Sequence, residues 1–171
     1  MSHIYRLSDY RPPETTPYAP LLARKEAAVA RKVELVGEGD WSSLFVSAAY
    51  RPLLGRPVAA VPLTGTSADS AAITDEATRT LLERYDPALP FVPSPVPGRI
   101  EGDGARVGRT VAVAVNGRIA AIATTYGIYG TTRFSALAPE SAFRSGRNEV
   151  EVYWLEGADA ASARLTKLET S

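Results

Sequence analysis

Tyr126, Tyr129 and Arg133 lie within eight positions of one another, and the chemistry they offer is adhesion. A tyrosine ring stacks on the apolar face of a sugar while its hydroxyl stays wet. An arginine donates to a hydroxyl or an anionic group. Tyr126 and Tyr129 bracket Gly127 at the start of a Gly-containing loop, 127–132, and loops carry a large share of binding residues. Trp41 and Tyr50 are further candidates for stacking. The competing reading is that these aromatics are core or edge covers. Trp154 alternates with valines and reads as core.

Bond-breaking chemistry finds no such support. The chain has no cysteine and one histidine, His3. Thiolate catalysis and Cys-based metal sites are excluded, and a Ser-His-Asp site has no base away from the terminus. The run Ser94-Pro95-Val96-Pro97-Gly98-Arg99 approaches the sulfatase nucleophile signature (Cys or Ser, any residue, Pro, any residue, Arg). Arg99 stands one place too far along, however, and no Asp/His/Asn cluster accompanies it to hold a divalent ion. Gly102-Asp103-Gly104 with Gly108 misplaces the third glycine of a dinucleotide loop and precedes a strand pattern, so a tight turn is expected. Asp69, Asp75 and Glu76 match no calcium-loop spacing. Capping of a short helix after Thr74 accounts better for Asp75 and Glu76. No catalytic residue, metal site or cofactor is assigned, and the expectation is a non-enzyme.

These residues need a β framework to hold them. Val111, Val113 and Val115 alternate up to Asn116-Gly117, a pair suited to the positive φ angles of a type I′ hairpin. An apolar run over 119–126 follows, then one over 133–138. In the run 149–155, Val150, Val152 and Trp154 alternate with Glu149, Glu151 and Tyr153. That pattern predicts one buried and one wet face, the mark of an antiparallel sheet. Before the last run, Gly146 is suited to a positive φ, and Asn148 to bonding the backbone of the turn.

The N-terminal third differs. Residues 1–20 are Pro-rich and read as an extended arm. Residues 21–37 read as a helix with its stop at Gly37, with Leu22, Val29, Val33 and Val36 on one face. Val29 and Val33 are expected to be buried. Its basic residues Arg24, Lys25, Arg31 and Lys32 form either a solvated face or a docking stripe. A strand is expected over 58–63, a polar loop over 64–70, and an extended Pro-rich crossing over 88–98. Residues 38–157 are taken as one β domain, and 158–171, Ala-rich and polar, as a flexible tail.

The composition has 19 basic and 19 acidic residues and zero formal net charge. That argues against a nucleic-acid or anionic-membrane binder. No run approaches a membrane span, and the first ten residues lack the apolar core of a signal peptide. By itself the chain reads as cytoplasmic.

The residues also carry a resemblance. VAVAVNGRIAA followed by GRNEVEV is similar to the last strands of galactose-binding-like jelly rolls. The longer pattern spans 21–156: ARKEAAVARKVELVGEGDWSSLF, RPLLGRPV, then RFSALAPESAFRSGRNEVEVYW. It resembles the C-terminal extracytoplasmic region of actinobacterial membrane-bound sulfatase-like proteins of the alkaline-phosphatase superfamily, which are similar to lipoteichoic acid synthases. That resemblance implies an accessory domain outside the membrane, near cell-envelope glycan or a membrane protein partner. In that family the catalytic domain precedes this region, so no catalytic residue is carried over.

The expected fold is therefore mainly β, an antiparallel, jelly-roll-like β-sandwich with an N-terminal helix and one short inserted helix. The expected function is non-catalytic and accessory, with glycan binding a candidate. The alternative is a protein–protein interaction subunit docking through its N-terminal arm and helix.

Overall fold

The computed structural model describes residues 17–36 and 45–170. The fold is mainly β, with an N-terminal helix and one short inserted helix, as the sequence leads one to expect. α1 (Tyr18–Val36) comes first, and a 3-10 helix follows at Ala48–Leu53. After β1 (Leu63–Ile73) comes α2 (Glu76–Glu83), then β2 (Val96–Glu101), β3 (Thr110–Val115) and β4 (Arg118–Thr124). β5 (Tyr126–Ile128), β6 (Thr131–Ala136), β7 (Val150–Glu156) and β8 (Arg164–Thr170) complete the sheet. The hydrogen-bonded order is β4-β3-β7-β8-β1-β2-β6-β5. Every pairing is antiparallel except β1 with β8, which is parallel.

The sheet curls on itself. β4 and β5 stand at opposite ends of the strand order, yet only Thr125 separates them in the chain. The apolar run 119–126 is thus one bent passage serving two strands. Thr125 is buried at the bend. Its hydroxyl donates to Arg106 O at 2.7 Å and accepts the Arg109 amide at 2.9 Å. Inside the curl, every strand except β5 contributes to one cluster, including Ile73, Val96, Val113, Phe134, Trp154 and Leu168. A β-strand alternates faces, so the odd members of β3 fill this interior and Ala112 and Ala114 point outward. There Val46, Leu53, Val58 and Val61 cover them, with Ile119, Tyr153 and Leu165. β7 consequently has no fully wet face, because Tyr153 and Leu155 are buried along with Val152 and Trp154. A third cluster closes one end, where Leu82 and Tyr85 meet Phe143 and Val115.

Two turns follow their residues closely. Asn116 and Gly117 have φ of 52° and 76°, the type I′ geometry. Gly146 has φ of 85°, and Asn148 is buried with both ends of its amide bonded to the turn.

Several expectations need correction. Residues 164–170 of the supposed flexible tail are β8, hydrogen-bonded on both sides between β7 and β1. The region read as a strand over 58–63 begins with a 3-10 helix at Val58–Ala60. The expected polar loop over 64–70 is the polar half of β1, whose first residues are solvent-exposed and so needed no apolar pattern. Asp75, rather than Thr74, caps α2, accepting the Thr78 amide at 2.6 Å.

The helix expected over 21–37 starts at Tyr18, and its apolar stripe is not buried. Val29 is 61% exposed and Val33 44%. Small residues at a different helical phase, Ala27 and Ala30, face Ala48 and Ala49 across a shallow cleft. Arg31 and Glu34 line the same cleft, and every residue of α1 whose burial is described, except Leu21, is exposed. Among the described residues no helix is long and apolar enough to cross a membrane.

Candidate ligand-binding face

The β5–β6 hairpin gathers three of the five candidate residues. Tyr126 pairs with Arg133, Gly127 with Thr132 and Ile128 with Thr131, which leaves Tyr129-Gly130 as a two-residue turn. The φ angles there are 48° and 77°, again the type I′ form. That turn favours Asn, Asp or Gly at its first position, because other side chains crowd the backbone at positive φ. Tyrosine occupies it nonetheless, and its side chain is fully exposed. No packing offsets the strain. The two-residue turn requires the positive φ, so the hairpin holds the ring's backbone fixed while leaving the ring in solvent.

Register places the neighbours. β6 turns Phe134 and Ala136 into the curl, so Arg133 lies on the outer face. Tyr126 shares that face, since directly opposed residues of an antiparallel pair point the same way. The opposite side of the hairpin is occupied. A Cβ on Gly127 would come within 3.1 Å of Val107, and the Thr132 hydroxyl donates to Ala105 O at 3.3 Å.

On the next strand, Arg99 of β2 stands directly opposite Arg133, and Ala72 of β1 opposite Arg99. The outer face thus carries a row across four strands: Tyr126, Arg133, Arg99 and Ala72. Arg99 Nε lies 3.2 Å from Glu101. Arg133 Nε is buried without a hydrogen-bond partner among the described residues. Sequence reading missed Arg99 as part of this face. The signal was present in its alternation with buried Gly98 and Ile100, but the β2–β6 register that sets it against Arg133 is not local.

Comparison with family models, curated proteins and solved structures gives no match. The assignment of this face therefore rests on its own geometry.

The remaining candidates fall elsewhere. Tyr50 packs on the outer cluster and its hydroxyl donates to Gly157 O, far from the hairpin in the sheet order. Trp41 lies outside the described residues, as does His3. Ser94 accepts the Ala138 amide at 3.1 Å, a structural bond.

Asp69 is buried at one end of the curl. It accepts the Trp154 indole N–H and the Gly104 amide, each at 2.8 Å. Arg109 lies 3.7 Å over the Trp154 ring and donates to Gly104 O at 2.8 Å. Burial pushes the Asp69 carboxyl up. The bonds from Gly104, Trp154 and Ser67 and the charge of Arg109 outweigh it, holding the group below its usual 3.8. A Cβ on Gly102 or Gly104 would run into this carboxylate, which accounts for both glycines. An open depression of about 570 Å³ adjoins the cluster, but its buried polar groups already satisfy one another. Among the described residues no group of three His, Cys, Asp or Glu side chains stands close enough to hold a metal ion.

Proposed function

We propose that the chain is a non-catalytic accessory module that binds glycan on the outer face of its β5–β6 hairpin, within a sulfatase-like protein of the cell envelope. The observation that carries this reading is Tyr129, fully exposed and held at positive φ beside Tyr126 and Arg133. The short, paired hairpin fixes the backbone beneath the ring, so stacking a sugar orders only two side-chain torsions. Tyr126 supplies a second ring and Arg133 a donor for ring hydroxyls or anionic substituents. The envelope setting rests on the sequence resemblance, and there the module would work outside the membrane. Glycan-array binding by the wild type, lost in Tyr129→Ala and weakened in Tyr126→Ala, is the expected result. Retention of all array signals in the double variant refutes the assignment.

A second reading has an observation of its own. Leu22, Val29 and Val33 are exposed on the side of α1 turned away from the β body. A helix with an unburied apolar stripe suits docking into a groove of a protein partner, such as the membrane-bound protein to which the module would belong. Recovery of that partner with the wild type, and its loss on combined Val29→Asp and Val33→Asp substitution, would favour this reading over the first.

A further inference from the structure

We infer that the glycan bound at the β5–β6 face is acidic, with its anionic groups seated between Arg99 and Arg133; this rests on the glycan reading above. The ground is the register. Arg99 and Arg133 are direct cross-strand partners on one face of the sheet. Like charges in that arrangement oppose the pairing of the strands. Glu101 lies 3.2 Å from Arg99 but is the only acidic residue paired with either guanidinium among the described residues. Arg133 has no ion pair there, and its Nε is buried and unbonded.

The two arginines are thus a repulsive pair without enough negative charge to balance it. A carboxylate, sulfate or phosphate between them supplies that charge and accepts from both planar forks. Tyr126, opposite Arg133 on the side away from Arg99, sets a ring next to the anion site. The row therefore matches a polymer in which sugar faces and anionic groups recur. A neutral glycan would leave the arginine repulsion in place, and a polyanion without rings would leave the tyrosines unused.

Half of the outer face is open for such a chain. The segment containing Val46, Leu53, Val58 and Val61 covers the β4, β3, β7 and β8 half. On the other half, Tyr126, Ile128 and Arg99 remain exposed.

The test measures binding of polygalacturonate, of a neutral β-galactan and of inorganic polyphosphate to the full chain, at low and at raised salt. The expected result is binding of polygalacturonate at least roughly tenfold tighter than of the neutral galactan. Raised salt should weaken it. Arg133→Gln and Arg99→Gln should each reduce it, and Tyr129→Ala should reduce it while leaving the salt dependence. Arg99 is exposed and Arg133 half-buried, so thermal unfolding of both variants establishes that they remain folded. Equal binding of the acidic and neutral polymers, both lost in Tyr129→Ala, overturns the charge inference and leaves the glycan reading. Equal binding of polyphosphate and polygalacturonate, insensitive to Tyr129→Ala, overturns the glycan reading. Absence of binding to all three overturns both.

Discussion

Removing the Asn148 side chain tests how the last antiparallel passage is fixed. Asn148 is 5% exposed. Its Oδ1 accepts the Arg144 amide and the Asn116 Nδ2, each at 2.8 Å. Its Nδ2 donates to Arg144 O at 2.8 Å and Gly146 O at 3.1 Å. One amide therefore ties the turn before β7 to the hairpin between β3 and β4. In Asn148→Ala the two carbonyls lie at exposed residues and regain water. The Arg144 N–H loses its acceptor, and Asn116 Nδ2 keeps only a 3.3 Å bond to Ala142 O, while Asn116 Oδ1 still accepts the Glu149 amide at 3.2 Å. At about 1 kcal/mol net for each bond not replaced by water, and more for a buried group left alone, the loss is about 2–3 kcal/mol. For a chain of this size that lowers Tm by roughly 5–10 °C. Asn148→Asp keeps the acceptor and discards the donor, so an intermediate shift is expected. Urea unfolding at constant m-value, alongside scanning calorimetry, gives both quantities. If Asn148→Ala shifts the midpoint no further than the exposed control Arg147→Ala, the amide does not hold the two turns together.

Three other outcomes are expected. Gly98→Ala should destabilise by about 2–4 kcal/mol, because its Cβ strikes the Phe134 ring across the β2–β6 pair; in a Phe134→Leu background the same change should cost less, and additivity in that double-mutant cycle would refute the contact. The Asp69 carboxyl is held below 3.8, so its contribution is complete above that value and disappears as pH falls through the lowered one. The gap in urea midpoint between wild type and Asp69→Asn should therefore narrow between pH 7 and pH 3, and a constant gap would count against it. Val29→Asp should change stability by less than about 0.5 kcal/mol, since the side chain is mostly in water; a large loss of Tm would mean that α1 packs elsewhere.

The parts legible in sequence are those decided by near neighbours. Asn116-Gly117 specifies its turn through backbone sterics alone, and Gly146 and Asn148 act within a few residues of themselves. β8 escaped because its two leucines, Leu165 and Leu168, are three apart and lie on opposite faces, one in each main cluster. That spacing breaks the alternation of a strand and is a helical one, so the segment reads as a weak helix or a flexible tail. β1 escaped because its first half is exposed and its register against β8 shifts twice. The stripe on α1 was legible as a stripe, but whether anything covers it is a property of the tertiary arrangement. The candidate face was half legible. Its aromatics stand out, whereas the opposition of Arg99 to Arg133 depends on strands separated by β3, β4 and β5.

The position of β8 also governs the order of events on the ribosome. β1 is made early, but its parallel partner emerges about a hundred residues later, roughly ten seconds at usual elongation rates. Without β8, β1, β2, β6 and β5 make one paired group and β4, β3 and β7 another, with no strand pairing to join them. The facing edges of β1 and β7 stay open until β8 fills the gap between them, each a template for pairing with a neighbouring polypeptide. Closure of the sheet therefore waits for β8. A stop codon a few residues before Arg164 would release two half-sheets in place of a slightly shortened domain.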